Sequence, residues 1–324
     1  MTRKIHHLLL HRVLYSFFFL LPSMATPNKA ENCIDLSNPR MTLNDGHSIP
    51  RVGLGVFRAQ RGGETYNAVK HAIQAGYRHV DTAELYGNEA DVGRAVRDSG
   101  IPREEIWITS KLWPDYSQEQ IQKADENGLP LGYATARDKA KATLERLGLK
   151  YVDLYLIHSP ASPNYRIGAW LALQDLQSTG KIRSIGVSNY GEHHLRELLE
   201  DERVKIAPSV NQVEIHPWMR RDALVAFCQA QGIQVEAYSP LAKATTLQDH
   251  TLVTVAKSAG KTPAQVLIRW SLQRGYITLP KSTNPERIEQ NTAVYDFELN
   301  VAQMEQLNGL DRQMTTGWDP TKSP

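Results

Sequence analysis

Residues 152–188 have the sequence VDLYLIHSPASPNYRIGAWLALQDLQSTGKIRSIGVS, and the pattern in this stretch recurs along most of the chain. The run at 152–158 is almost wholly apolar, as in a strand that is buried on both faces. Apolar residues at helical spacing follow at 168–178, and a second β-branched run follows at 182–188. This order predicts two parallel strands joined by a crossover helix.

Similar segments alternate between residues 52 and 280 without a change in composition. Strands are predicted at 52–55, 79–81, 106–111, 152–158, 182–188, 209–214, 234–239 and 276–280. Helices are predicted at 65–74, 89–98, 135–147, 168–178, 193–199, 221–231 and 263–274. Eight strands with alternating helices indicate an α/β protein, a single (β/α)8 TIM barrel, rather than a doubly wound sheet. Gly53-Leu54-Gly55 supports this choice, because it lacks the third glycine of a dinucleotide-binding turn.

Two features outside this alternation complete the predicted organisation. Asn44-Asp45-Gly46 lies between short strand candidates at 40–43 and 48–50 and is typical of a β-hairpin turn. The longest insertion, at 114–133 after the third strand, is interpreted as a surface excursion. We therefore divide the chain into a leader at 1–25, a linker at 26–39 and a barrel domain at 40–324.

The composition is typical of a globular protein and excludes several other classes. Of the 324 residues, 41% are hydrophobic, and 37 basic against 35 acidic side chains give a net charge of +2. A charge this small offers no field to attract nucleic acid. The two cysteines, Cys33 and Cys228, are far apart, so they fit no zinc-binding spacing and no disulfide framework.

The leader has its own composition. Arg3, Lys4 and Arg12 precede or flank the apolar run VLYSFFFLL at 13–21, and small residues stand at Ser23 and Ala25. This arrangement predicts a signal or anchor for the secretory pathway. Mitochondrial targeting is a rival interpretation, because transit peptides are also basic and poor in acids. A third reading is that Met24 is the true start, which would leave a cytoplasmic protein.

Ionisable side chains stand where the predicted strands end, which is where TIM barrels carry their chemistry. Asp81, Lys111 and His158 end three successive strands, and Tyr86 lies five residues beyond Asp81. Each has an ordinary explanation when taken alone: a helix cap for the aspartate, a solvated charge for the lysine and a core histidine. Together they predict an acid–base set at one mouth of the barrel.

The chemistry of this set suits reduction of a carbonyl group. An ammonium close to the Tyr86 phenol should lower the phenol's pKa, and the Asp81 carboxylate should hold the Lys111 ammonium in place. His158 could donate a hydrogen bond to the carbonyl oxygen, while Tyr86 delivers a proton as that oxygen becomes an alkoxide. No nucleophile or metal-binding spacing is evident, so the reducing equivalent should come from a cofactor.

From about residue 40 to 320 the chain resembles the aldo-keto reductases. The resemblance lies in five ordered motifs: GYRHVDTAELYGNE at 76–89, ITSKLW at 108–113, VDLYLIHSP at 152–160, SIGVSNY at 184–190 and LPKSTNPERIEQN at 279–291. It implies a (β/α)8 barrel closed at the bottom by the N-terminal hairpin, and a nicotinamide-dependent carbonyl reductase. The family's catalytic tetrad corresponds to Asp81, Tyr86, Lys111 and His158.

The resemblance also implies a set of cofactor contacts. Ser188, Asn189 and Gln212 would bind the nicotinamide carboxamide, and Tyr238 would stack on its ring. The remaining contacts implied are Ser239 and Leu241 to the pyrophosphate, Lys281, Ser282, Thr283 and Arg287 to the adenosine 2′-phosphate, and Gln290 and Asn291 to the adenine. Two cations six residues apart with hydroxyls between them suit a phosphate dianion, which predicts NADPH as the cofactor; the alternative is a solvated helix start.

Substrate contacts are predicted at Phe57, Trp113, His158 and Ser159. Many members of the family have Trp at the positions of Phe57 and Ser159, glycine at that of Ala242 and Glu at that of Gln290. The closest likeness is to compact microbial and protist members, either diketogluconate-reductase-like or prostaglandin F synthase-like. The expected protein is a monomeric NADP-dependent alcohol dehydrogenase-type oxidoreductase acting on a small carbonyl compound, without nucleic acid or an obligate protein partner.

Two other functions stay open at this point. Lys111 could act as the amine of a Schiff-base aldolase, although Asn189, Gln212, Lys281 and Arg287 would then lack a purpose. The chain could also be a non-catalytic nicotinamide sensor or regulatory subunit, although all four tetrad positions are filled.

Overall fold

The computed structural model describes residue 36 and residues 38–114, 130–160 and 163–324. The predicted leader, nearly all of the linker and residues 115–129 of the insertion lie outside the described residues. The statements below concern the described ranges. No helix in them is long and apolar enough to cross a membrane.

The chain enters the barrel through the predicted hairpin. Strands β1 (Arg40–Thr42) and β2 (Ser48–Pro50) pair antiparallel, with Met41 opposite Ile49. Gly46 occupies the turn with a φ of 85°, a conformation that glycine adopts without steric cost. The prediction of a hairpin is confirmed.

Eight parallel strands form the barrel, and all eight were predicted. They are β3 (Leu54–Gly55), β4 (His79–Asp81), β5 (Trp107–Leu112), β6 (Val152–Ile157), β7 (Ile182–Ser188), β8 (Val210–Glu214), β9 (Gln234–Tyr238) and β10 (Ile277–Leu279). They are hydrogen-bonded in sequence order from β3 to β10. A parallel bridge between Val52 and Thr278 and a 3.0 Å hydrogen bond from the Gly53 N–H to the Thr278 carbonyl close the ring.

Helices alternate with the strands, as the sequence predicts. They are α1 (Gly63–Gln74), α2 (Glu89–Arg97), α3 (Tyr133–Leu147), α4 (Pro163–Ser178), α5 (Glu192–Glu200), α6 (Asp222–Ala230), α7 (His250–Ala259), α8 (Pro263–Gln273), α9 (Pro285–Gln290) and α10 (Val301–Asn308). Helix α4 begins five residues before the predicted start. Helices α7 and α10 were not predicted, although the Asp249 carboxylate caps α7 by accepting from the Thr251 and Leu252 amides.

The hairpin covers the amino ends of the strands. Leu43 and Ile49 are buried in an apolar cluster, whose other members include Trp107, Leu154, Leu156, Val210 and Ile277. The Asn44 amide donates to the Pro208 carbonyl at 2.9 Å, and the Ser209 hydroxyl donates to Asp45 at 3.0 Å. This packing closes the bottom of the barrel, so the opposite, carboxyl ends remain to form a site.

Candidate active site

The centre of the candidate site is a buried ion pair on two adjacent strands. Asp81 ends β4, and Lys111 is the fifth residue of the neighbouring strand β5. The Lys111 ammonium donates to both Asp81 carboxylate oxygens at 2.7 Å and to the Thr82 carbonyl at 3.0 Å. Burial alone would lower the pKa of Lys111, but Asp81 and then Tyr86 more than offset it, so the pKa is raised. Lys111 is therefore a fixed cation.

Tyr86 lies directly above this pair. It ends the short 3-10 turn Glu84–Tyr86 that follows β4, and Gly87 closes the turn with a φ of 67°. The Lys111 ammonium is 3.4 Å from the Tyr86 hydroxyl and 5.1 Å from the centre of its ring. The three residues thus meet as the sequence predicts.

Lys111 lowers the pKa of Tyr86 as predicted, but a larger effect of burial opposes it. Burial raises the pKa of Tyr86 to about 12, because it outweighs the opposing effect of the Lys111 charge. Asp81 holds that charge at 2.7 Å and itself raises the pKa of the phenol. Tyr86 consequently stays protonated throughout the neutral range, as a proton donor must.

His158 faces the same space from the end of β6. Its ring lies edge-on to Tyr86, with centroids 5.7 Å apart, and edge-on to Trp113 at 5.2 Å. Burial, and then the Lys111 charge, hold the pKa of His158 well below its usual value. The imidazole is therefore neutral, and its Nδ1 atom has no hydrogen-bond partner in the described part of the chain. A neutral imidazole has one N–H donor to offer a carbonyl oxygen.

Four residues predicted to bind the nicotinamide are joined to one another at the ends of β7, β8 and β9. The Tyr238 hydroxyl donates to the Asn189 side-chain oxygen at 2.9 Å, and the Asn189 amide nitrogen is 3.2 Å from the Ser188 hydroxyl. The Ser188 hydroxyl donates to the backbone carbonyl of Gln212 at 2.8 Å. The side-chain amide nitrogen of Gln212 donates to the Asp81 carboxylate at 2.8 Å. The hydrogen bond from Gln212 to Asp81 connects these four residues to the tetrad.

The residues predicted to bind the 2′-phosphate lie on the loop after β10. Lys281 and Arg287 are exposed, and neither side chain forms a hydrogen bond or ion pair with a described residue. Ser282 is buried and accepts a hydrogen bond from the Asn284 amide at 3.1 Å. In the predicted adenine site, Gln290 is exposed and Asn291 is buried.

An acidic side chain that sequence reasoning missed lies near this loop. The Gln60 amide, followed by the Thr283 hydroxyl and the Lys281 charge, lowers the pKa of Glu64. Glu64 thus brings a carboxylate close to two of the residues predicted to bind phosphate.

The loop after β9, which carries Ser239 and Leu241, has an unusual backbone. Ser239 has a φ of 50°, and three successive residues follow in the same left-handed region, namely Ala242, Lys243 and Ala244. Such conformations are unfavourable for residues with a Cβ atom. The glycine that the resemblance would place at 242 has no such cost.

Aromatic side chains surround the mouth of the site. Phe57 is 43% exposed, and its ring lies 5.0 Å from that of Tyr86. Trp113 contacts His158 and, at 6.0 Å, the exposed ring of Trp318, which was not among the predicted site residues. Ser159 is buried beside His158. The tail that carries Trp318 is held by an ion pair of 2.9 Å between Asp319 and Arg221.

A second acidic residue missed from the sequence is Glu236 in the middle of β9. It is fully buried, and the Gln212 amide nitrogen donates to its carboxyl group at 2.6 Å. Acids are seldom buried without a partner. The signal available in the sequence was an acid inside the apolar run QVEAY at 234–238.

Comparisons with known proteins show the family to which the chain belongs. Residues 51–312 match the family model described as Aldo/keto reductase family. The chain is 44% identical over 283 residues to a 9,11-endoperoxide prostaglandin H2 reductase of Trypanosoma cruzi (strain CL Brener), covering 86% of this chain and 94% of the relative. It is 43% identical over 278 residues to a glyoxal reductase of Bacillus subtilis (strain 168), covering 86% and 95%.

A solved structure gives the same answer for the fold. The aldo-keto reductase MGS-M4, from a deep-sea metagenome library of the Medee basin, has a TM-score of 0.79 and 39% identity over 88% of this chain and 99% of that chain. With its (β/α)8 barrel, its strand-end tetrad and these relatives, the chain belongs to the aldo/keto reductase family of oxidoreductases.

Proposed function

We propose that the protein is an NADPH-dependent reductase that converts aldehydes and ketones to alcohols. The observation that carries this proposal is the Asp81–Lys111 ion pair beneath Tyr86, with neutral His158 facing the same space. A nicotinamide cofactor, when bound, supplies hydride to the carbonyl carbon. His158 orients the carbonyl oxygen, and Tyr86 gives its hydroxyl proton to that oxygen as negative charge develops on it.

The residues around the mouth fit such a cofactor. The Gln212 amide nitrogen is already engaged by two carboxyl groups at 2.8 and 2.6 Å, so its oxygen is left to accept a hydrogen bond from a carboxamide. Lys281 and Arg287 form no ion pair with any described residue and would hold a 2′-phosphate. The nearby Glu64 carboxylate would repel the phosphate, but it neutralises neither the Lys281 nor the Arg287 charge.

The same contacts speak against a Schiff-base aldolase. A nucleophilic lysine must lose its proton, whereas Lys111 is bound to both oxygens of Asp81 and its pKa is raised. For the substrate, the aromatic rings of Phe57, Trp113 and Trp318 favour aldehydes with an apolar or aromatic body. The names of the relatives add dicarbonyls such as glyoxal and a prostaglandin endoperoxide to the compounds worth testing.

The test is consumption of NADPH with a panel of carbonyl compounds that includes glyoxal and an aromatic aldehyde. We expect turnover that requires the carbonyl compound and yields the corresponding alcohol. Binding of NADPH without turnover of any member of the panel would favour a sensor. Reduction of the protein–substrate adduct by borohydride, trapping substrate on Lys111, would favour the aldolase.

A further inference from the structure

Glu236 lies inside the barrel, below the tetrad, and one amide links it to Asp81. The Gln212 amide nitrogen lies 2.6 Å from Glu236 Oε2 and 2.8 Å from Asp81 Oδ2. Gln212 and Glu236 are register partners on the neighbouring strands β8 and β9, whereas the bond from Gln212 to Asp81 on β4 crosses the interior of the barrel. The proposed mechanism gives Glu236 no task.

None of the described cations forms an ion pair with Glu236. The Lys111 ammonium already has four acceptors within 3.4 Å, namely both Asp81 carboxylate oxygens, the Thr82 carbonyl and the Tyr86 hydroxyl. The other basic group in reach is His79, whose Nε2 lies 3.7 Å from Glu236 Oε1, too far for a hydrogen bond. Burial lowers the pKa of His79 to about 3, so this ring is neutral.

The donors around the carboxyl group indicate which form of Glu236 is favoured. Among the described residues, Oε2 accepts from the neutral Gln212 amide and buried Oε1 has no hydrogen-bond partner, so no charged donor contacts this group. An ionised carboxylate in this place would be buried, uncompensated and close to the Asp81 charge, which is strongly unfavourable. Burial, and then the Asp81 charge, raise the pKa of Glu236 to about 8. Burial and the neighbouring Asp81 charge therefore favour the neutral form of Glu236 at neutral pH.

We propose that Glu236 is a positioning residue, a neutral acid that fixes the Gln212 amide and keeps a second negative charge away from the Asp81–Lys111–Tyr86 relay. This proposal rests on the reductase function proposed above. Asp81 and Glu236 Oε2 both accept, so they hold the Gln212 nitrogen toward the barrel interior. Only the Gln212 oxygen is then left for a ligand, and it selects an N–H donor.

A consequence is a dependence of the reduction rate on pH that does not come from Tyr86. When Glu236 ionises, its charge adds to that of Asp81, and both raise the pKa of the Tyr86 phenol. Proton delivery becomes harder, so reduction should slow as the pH rises through about 8. The titratable and charged groups facing Glu236 are Asp81, Lys111, His79 and Tyr86. The raised pKa values of Lys111 and Tyr86 and the lowered pKa of His79 keep these three groups from changing charge in this range.

The experiment is the pH profile of kcat for reduction in the parent protein and in Glu236→Gln. The amide keeps the acceptor for Gln212 but cannot ionise. We expect Glu236→Gln to lower kcat at neutral pH by only about two- to fivefold, the worth of one perturbed hydrogen bond, and to lose the decline near pH 8. Glu236→Leu, which removes the acceptor, should raise the KM for NADPH by more than Glu236→Gln does.

Asp153→Asn, at the opposite end of the barrel, is the matched control and should keep the shape of the parent profile. An unchanged decline near pH 8 in Glu236→Gln would overturn the proposal. A loss of kcat of a hundredfold or more at neutral pH in a folded Glu236→Gln protein would also overturn it, since it would mean that the carboxylate charge is needed.

A readout independent of activity separates this proposal from the proposed function. Infrared spectra of the parent protein at neutral pH should contain the carbonyl band of a protonated carboxylic acid. The spectrum of Glu236→Gln at the same pH should lack this band. That band persisting in Glu236→Gln, or being absent from the parent, contradicts a neutral Glu236 whether or not the protein reduces carbonyls.

Discussion

The two ends of the barrel each bury an aspartate, but they surround it differently. At the amino end, Asp153 receives hydrogen bonds from Arg103 at 2.7 Å, from Arg183 at 3.2 Å and from the Ile108 amide at 2.9 Å. At the carboxyl end, Lys111 alone pairs with Asp81, and the Gln212 amide that donates to Asp81 also donates to a second acid, Glu236. The two cations around Asp153 compensate its charge and stabilise the fold. The single cation shared near Asp81 and Glu236 leaves one acid without a counter-ion, which favours its protonated form.

The backbone shows the same contrast. The hairpin at the amino end places Gly46 at the position of its turn that has a positive φ. The loop after β9 at the carboxyl end places Ala242, Lys243 and Ala244 in the left-handed region instead. Unfavourable conformations of this kind gather at functional sites. We therefore expect changes at the amino end to alter stability with little effect on activity, whereas changes to the tetrad and cofactor residues at the carboxyl end should alter activity.

The largest effect should come from Lys111→Met, which removes the only cation of the tetrad. Asp81 would be left buried without a counter-ion, which should cost about 3–5 kcal/mol of unfolding free energy. The turnover number should also fall by about 10²–10⁴-fold, because Tyr86 loses its partner in proton delivery. Denaturant unfolding and steady-state kinetics measure the two losses. Activity within tenfold of the parent would show that the ion pair is structural only.

Arg287→Ala should affect the cofactor without affecting the tetrad. A charge-assisted contact with a 2′-phosphate contributes about 1.5–3 kcal/mol, so NADPH affinity should fall about 10- to 150-fold while NADH affinity is unchanged. Fluorescence titration with both cofactors is the measurement. Glu64→Gln is the control of opposite sign, because removing a carboxylate near Lys281 should tighten NADPH binding. Equal losses for NADPH and NADH would place Arg287 outside the phosphate site.

Asp153→Asn tests the amino end. It removes the charge shared by Arg103 and Arg183, and charged hydrogen bonds contribute about 1.5–3 kcal/mol. We expect a loss of stability of that size in denaturant unfolding, with kcat and KM for NADPH within twofold of the parent. A large fall in kcat with normal stability would contradict the division between the two ends.

The smallest effect should come from Ala242→Gly, which relieves one left-handed alanine. A Cβ in this region costs about 1 kcal/mol, so the variant should unfold at a slightly higher denaturant concentration. The gain is expected although Ala242 is fully buried, because only a methyl group is lost. A decrease in stability would show that the packing of this methyl outweighs the backbone term.

The fold could be predicted almost entirely from local pattern. The eight strands follow from apolar runs at regular spacing, and the hairpin from Asn44-Asp45-Gly46. Helix α7 was not predicted, although Asp249 is a good N-cap residue, because the helix is short and its apolar stripe has few residues. Residues 1–35 and 115–129 lie outside the described structure, so the predictions for the leader and the insertion remain predictions.

The site was predictable only where a residue stands at the end of a strand. Asp81, Lys111 and His158 were found by that rule, and Tyr86 by its distance from Asp81. Glu236 was missed because it lies in the middle of a strand, where the sequence does not show whether the side chain points into the barrel. The effect of Lys111 on the pKa of Tyr86 was predicted, but the net rise was not, because it depends on how deeply the phenol is buried, which the sequence does not show.

The most direct test of the account is the single-turnover rate of hydride transfer in Tyr86→Phe. This change keeps the ring, its contact with Phe57 and the Asp81–Lys111 pair, and deletes the hydroxyl that we propose as the acid. The account predicts a rate lower by about 10²–10⁴-fold, with NADPH binding unchanged in fluorescence quenching. A rate within a few-fold of the parent, with NADPH bound normally, would mean that Tyr86 is not the proton donor.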